Sequence, residues 1–309
     1  MTVLLIVLVL LVAAFSIAGY FCIKTMTAPH VWDKEHEFMV LPTWGYDVRP
    51  FFDSVEPENF EYKTSRGYTL RGWIIRADSS AVFPDGRQRA VLLEHGYTGN
   101  RYTMLSYAES YRSLGFNVVE YDHRYHGESD KVFCSMGYYE SKDAVEIAEY
   151  VRTLFPENTV WGIQGESMGS AATMLAAPSL SWMDFVVEDC GFTTLKEEIA
   201  ASISFKANLP PHPIAEFSYP ILKLWRGYSV KDVRPIDSVP EISQPMLFVH
   251  GGLDRYVPTP MVYRLYDAKQ GDNKRMHIFE DVPHAKSILM HHREYTEMLK
   301  DFLSEFGII

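Results

Sequence analysis

Short apolar runs at residues 90–94, 117–121, 159–164, 185–188, 246–249 and 275–279 alternate with longer amphipathic stretches, and no other feature constrains the fold as much. Runs of that length suit buried strands. The intervening stretches at 102–114, 141–155, 168–177, 260–268 and 288–306 have helical length, the last with Leu299, Phe302, Leu303 and Phe306 on one face. Strands alternating with helices predict βαβ units, hence an α/β fold with a mainly parallel sheet covered on both faces. Segments 60–64 and 69–75 read as a hairpin turning at Arg66-Gly67. The rhythm breaks between 188 and 246, where FKANLPPHPIAEFSYPILKLWRGYS is too long and too rich in proline and aromatic residues for one crossover helix. A small helical cap at about 191–240, over the carboxyl edge of the sheet, is the expectation.

The first 23 residues carry no charged side chain. As a helix they would cross a hydrocarbon core of about 30 Å, so residues 1–23 are expected to be an uncleaved transmembrane anchor outside the globular fold. A cleaved signal peptide, with Ser16 and Ala18 at the small positions, is the alternative; the absence of Lys or Arg in the n-region and the length of the run weigh against it. Cys22 follows Gly-Tyr-Phe, which does not suit lipoprotein processing. Residues 24–58, with prolines at 29, 42, 50 and 57, read as a linker and an irregular wrap, and 59–309 as one domain, for which the 47% apolar content is ample. The expected location is the cell membrane, by a single N-terminal pass whose sidedness the few flanking charges leave open. A net charge of -11 argues against a nucleic-acid surface. Three cysteines at 22, 134 and 190 form no disulfide framework, so the redox compartment stays open, as does the oligomeric state.

Residues 160–172, VWGIQGESMGSAA, place Ser167 between two glycines directly after an apolar run. On a tight strand-to-helix turn such a hydroxyl is presented for attack, with Gly165 and Gly169 allowing the close packing the turn needs. A serine is a weak nucleophile without a histidine to take its proton and an acid to hold that histidine. The loops after the last two strands supply candidates: HGGLDRYVP carries Asp254 and EDVPHAK carries His284. The order Ser167, Asp254, His284 is that of a nucleophile-elbow fold. An oxyanion would be held by the backbone N–H of Met168, at the start of a helix, and that of Tyr97 in the loop HGYTG, with Gly96 and Gly99 letting the loop approach and His95 ordering it by hydrogen bonding. Asp254 as a simple turn cap is the bland reading, and Asp232 and Asp237 are weaker rivals. Glu166 reads as a helix N-terminal charge, and the His291-His292 pair as solvent-exposed. His95 and His126 lack an HExxH or a close acid cluster, and no GxxxxGK[ST] is present; neither a metal nor another cofactor is expected.

Together GESMG at 165–169, HGYTGNR at 95–101, DHRYHGESD at 122–130, HGGLDRYVP at 250–258 and VPHA at 282–285 resemble the alpha/beta-hydrolase superfamily. Within it, they resemble the serine aminopeptidase-like and BEM46-like group of membrane-anchored bacterial hydrolases, from about residue 60 to the C-terminus. The resemblance implies eight strands with the second antiparallel, a cap between the sixth and seventh, and Ser167, Asp254 and His284 as a catalytic triad. Tyr125 stands where the family's D-x-R-G-H-G-x-S commonly has glycine.

The fold hosts many chemistries. Apolar cap residues, with Phe205, Leu209 and Phe217 as candidate pocket lining, favour an uncharged acyl group. The expected activity is therefore serine carboxylesterase action on small-molecule esters of short or medium acyl chains. Serine peptidase and lipid acyl hydrolase are the alternatives within hydrolases, and a noncatalytic binding or scaffold protein the alternative outside them.

Overall fold

The computed structural model describes residues 1–78 and 83–309. Eight strands, β1 Glu58–Lys63, β2 Thr69–Ile75, β3 Arg89–Glu94, β4 Asn117–Tyr121, β5 Val160–Glu166, β6 Phe185–Asp189, β7 Met246–Gly251 and β8 Lys274–Phe279, form one sheet in the order β1-β2-β4-β3-β5-β6-β7-β8. β2 runs antiparallel to both its neighbours and the pairs from β4 onward are parallel. The helices are α1 Thr2–Thr27, α2 Lys34–Val40, α3 Arg49–Asp53, α4 Leu105–Ser113, α5 Glu140–Arg152, α6 Met168–Ala176, α7 Leu195–Ala207, α8 Ile214–Arg226, α9 Pro235–Ser238, α10 Pro260–Ala268, α11 Ser287–Met290 and α12 His292–Glu305. Because side chains alternate across a strand, Val91 and Leu93 face a core with α4 and α12, whereas Ala90 and Leu92 face one with α5 and α10. The cap, α7 and α8, lies between β6 and β7 in the chain.

Three expectations need correction. α1 is not outside the fold: its last turns pack on α8, with Ile23 fully buried, Phe15 5.6 Å from the Phe217 ring and Tyr20 stacked on Trp225 at 5.2 Å. At Gly19 a Cβ would come within 2.9 Å of the Phe217 and Ser218 backbone, so the absence of a side chain is what lets the helices touch. Residues 24–27 belong to α1, and the segment after it is more ordered than a linker, because α2 and α3 bury Phe38 and Phe51 against the body. Finally, the closing helix is two, interrupted at His291, and His292 is half-buried, stacked 3.7 Å from Tyr46 in the N-terminal wrap.

Candidate active site

Ser167 sits between β5 and α6 with φ 55° and ψ −113°, a left-handed backbone costly for any residue with a Cβ. Its own N–H donates to the Asp189 carbonyl on β6 at 2.8 Å, which ties the turn to the sheet. The two flanking glycines explain how the turn fits. A Cβ on Gly165 would meet the Gly169 carbonyl carbon at 2.3 Å, and one on Gly169 the Glu94 carbonyl oxygen at 2.1 Å. Backbone occupies both places, so neither clash could be relieved by a side-chain rotation. Strain concentrates at this edge: Thr98, Tyr125, Cys190 and Ala285 also have positive φ.

β7 and β8 end beside this turn and bring in the other two residues. The Ser167 hydroxyl lies 2.8 Å from His284 Nε2, and His284 Nδ1 lies 2.6 Å from Asp254 Oδ2. The other Asp254 oxygen accepts the N–H groups of Tyr256 and Val257, both at 2.9 Å. His250 Nε2 stands 3.2 Å from Oδ2. Burial pushes the Asp254 carboxyl up, but the hydrogen bonds from His250 and His284 outweigh it and hold the pKa at about 2. The rivals are elsewhere: Asp232 accepts the Ser229 N–H, and Asp237 pairs with Arg234.

Met168 is the first residue of α6, where an N–H has no intrahelical acceptor. Among the described residues the Tyr97 N–H likewise has none. Gly96 brings this loop against the serine, since a Cβ there would be 3.4 Å from Ser167 Cβ. His95 Nδ1 lies 2.8 Å from the Gly96 carbonyl while its Nε2 accepts the His123 N–H at 2.9 Å, an arrangement that needs the neutral ring. Burial, holding its pKa at about 4, keeps it neutral. Asp122 is equally structural: it accepts N–H groups of Arg101 and Glu128, each at 2.8 Å, and lies 3.2 Å from the Arg101 guanidinium. Tyr125, in the loop wound around it, has φ 70°, which gives the physical reason for glycine at that place in the family pattern.

Among the described residues, Cys190, Asp254 and His284 are the His, Cys and acidic groups close enough together to suggest a metal. Asp254 and His284 already bond to each other, and burial pushes the Cys190 thiol well above its usual range, away from the thiolate a metal would need.

One cavity opens on the serine and a second adjoins it at Tyr97, Lys206 and Tyr256. The first, of about 330 Å³, holds Ser167 and His284 and is walled by the N-terminal wrap, with Glu37, Glu166 and Lys286. Glu166 is not a simple helix-end charge. It is partly buried and accepts a hydrogen bond from the Tyr107 hydroxyl at 3.1 Å, and desolvation raises its pKa to about 7, as it does for Glu37. The second cavity, about 390 Å³, lies under the cap. Leu209 lines it, but Phe217 is turned toward α1 and Phe205 is half-exposed against Tyr256. Glu198, Lys206 and the α1 residues that also line it were not anticipated. No local motif marks them, because the cavity is assembled from segments far apart in the chain.

The alpha/beta hydrolase fold family model matches residues 89–180. Protein YqkD of Bacillus subtilis is 31% identical over 265 residues, which cover 85% of this chain and 84% of the relative. Protein bem46 of Schizosaccharomyces pombe is 25% identical over 258 residues, 82% and 79% of the two chains. An uncharacterized membrane protein of Saccharomyces cerevisiae is 22% identical over 307 residues, 96% and 99%. Among solved structures, the esterase Pf2001 of Pyrococcus furiosus has a TM-score of 0.67 at 23% identity, covering 83% of this chain and 95% of its own. The acylaminoacyl peptidase of Pyrococcus horikoshii has a TM-score of 0.62 at 17% identity, covering 82% and 43%. At such identities the structural likeness is one of fold. With an elbow serine, an eight-stranded sheet whose second strand is reversed, and a relative that shares nearly a third of its residues, this chain belongs to the alpha/beta-hydrolase family, in its BEM46-like group.

Proposed function

We propose that the protein is a serine carboxylesterase that cleaves esters of short or medium acyl chains through an acyl-enzyme. The observation that carries this reading is the hydrogen-bonded relay from Ser167 through His284 to Asp254, at 2.8 and 2.6 Å. In the proposed sequence His284 Nε2 takes the Ser167 proton as Oγ bonds to the ester carbonyl carbon. The resulting oxyanion is held by the Met168 and Tyr97 N–H groups. Collapse breaks the bond to the alkoxy oxygen, which leaves as an alcohol with the proton from His284. Water then gives a proton to His284 and its oxygen to the acyl carbon, and release of the acid returns the proton to Ser167. Asp254, ionised and buried, balances the imidazolium formed at each stage.

The N-terminal helix has the length and composition to span a membrane, and a yeast relative is named as a membrane protein. On that support α1 is an anchor. An alcohol leaving group is favoured over an amine by the largely apolar lining of the cavity under the cap. The test is turnover of p-nitrophenyl esters from acetate to palmitate beside aminoacyl-nitroanilides, for the full chain and Ser167→Ala. Ester turnover lost in the variant supports the reading; anilide turnover in preference to ester would make the protein a peptidase instead.

A further inference from the structure

A membrane anchor need only hold its domain at a surface, yet α1 does more. Ala18, Cys22 and Met26 line the 390 Å³ cavity together with Leu195, Ile199 and Ile203 of α7. This cavity meets the serine cavity at Tyr97, Lys206 and Tyr256, which line both. The helix is fastened at that end. The Tyr97 hydroxyl donates to the Thr25 carbonyl at 2.8 Å, so the loop that presents an oxyanion donor is bonded directly to α1. The Arg226 guanidinium at the end of α8 donates to the Thr27 hydroxyl at 2.8 Å.

The place of this cavity relative to a bilayer follows from which part of α1 the body covers. Residues 2–14 are exposed, and the turns packed on α8 begin at Phe15. Within these turns Tyr20 stacks on Trp225 of the cap, an aromatic pair of the kind that sits at a membrane boundary. Leu224 is 87% exposed beside it, and Leu209 and Phe21 are exposed at the mouth of the cavity. The cavity therefore opens at the level of the lipid surface. Among the described residues its one acid, Glu198, is buried and bonded to Ser202 at 2.9 Å, and burial raises its pKa to about 8, so it is uncharged at neutral pH; the cation in the lining, Lys206, sits over the Tyr97 and Tyr256 rings at the end that meets the serine cavity.

From this geometry we propose that α1 forms one wall of the acyl site and that the substrate is a membrane-soluble ester bearing a single unbranched acyl chain. An apolar cavity of about 150 Å³ holds benzene, so one of 390 Å³ has room for a chain of about a dozen carbons. The inference rests on the serine-esterase reading above. The chain lies between α1 and α7, and its carbonyl end passes Tyr97 and Tyr256 to reach Ser167.

The test uses the full chain in phosphatidylcholine vesicles and the ratio of kcat/KM for p-nitrophenyl decanoate to that for the acetate. The wild type favours the decanoate. Ala18→Phe and Cys22→Phe, which fill the cavity from α1, each lower the ratio by about tenfold or more, while Leu8→Phe, on the exposed part of the same helix, leaves it unchanged. Two cavity positions guard against one variant failing to fold. A wild type that favours the acetate, or an unchanged ratio in both cavity variants, overturns the inference while Ser167-dependent turnover keeps the esterase reading standing. Failure of every ester together with failure of a fluorophosphonate to label Ser167 removes the reading beneath, and the inference with it.

Discussion

Replacement of Asp254 by Asn tests the relay where the structure is most specific. The carboxylate Oδ1 accepts two backbone N–H groups, and Oδ2 faces His284 Nδ1 at 2.6 Å. An asparagine keeps the first pair of bonds only by turning its NH2 toward His284. The ring then accepts at Nδ1 and carries its proton on Nε2, which lies 2.8 Å from the Ser167 hydroxyl it should deprotonate. A lost charge-assisted hydrogen bond accounts for about 1.5–3 kcal/mol. The wrong tautomer adds to this, and the same substitution in a serine triad of another fold lowers kcat about 10⁴-fold, or about 5.5 kcal/mol. The expected result is a fall in kcat on p-nitrophenyl butyrate of about that size with little change in KM. Thermal unfolding of the variant separates loss of the relay from loss of the fold. A folded variant with a fall of less than about tenfold would refute the argument that Asp254 orients and balances His284.

Asp122→Ala leaves the buried Arg101 guanidinium with only the exposed Glu128 carboxylate and strands the Arg101 and Glu128 N–H groups, and a loss of about 3–5 kcal/mol in denaturant unfolding is expected; a loss below about 1 kcal/mol would show that the loops do not depend on the buried pair. Stability should also fall as pH rises from about 7 to about 9. Burial raises Glu94 and Glu120 to about 8 and Glu188 to about 7, so the folded chain keeps these protons longer than the unfolded one. The stability they add is complete below the ordinary carboxyl range and is lost as pH passes through 7–8. The buried His95 and His126, held down at about 4 and about 3, are already neutral throughout that window. A melting temperature that is flat or rising over the window contradicts the assignment.

The sheet and the serine relay were legible because each rests on local pattern. Strand runs are short and apolar, and Asp254 and His284 follow the last two of them, so chain order alone places them at one edge. The cavity under the cap was not legible, because it needs residues 18–26, 195–209 and 256 to meet. Hydropathy marks α1 as apolar enough to span a membrane and says nothing of Gly19, whose missing side chain seats the helix on the Phe217–Ser218 backbone. The apolar character of Phe217 suits pocket lining, but on α8 it lies on the face turned to α1. Position alone makes Glu166 a helix-end charge; its hydrogen bond from Tyr107 depends on α4, a contact that the sequence does not encode locally.

The central claim is that Ser167 is a nucleophile activated by His284. Its most direct test is treatment of the full-length protein with a fluorophosphonate followed by mass spectrometry of the tryptic peptides. The account predicts a phosphonyl adduct on Ser167 that is absent in Ser167→Ala and forms far more slowly in His284→Ala. An intact protein that takes up no label at Ser167, or labels equally fast without His284, would contradict it.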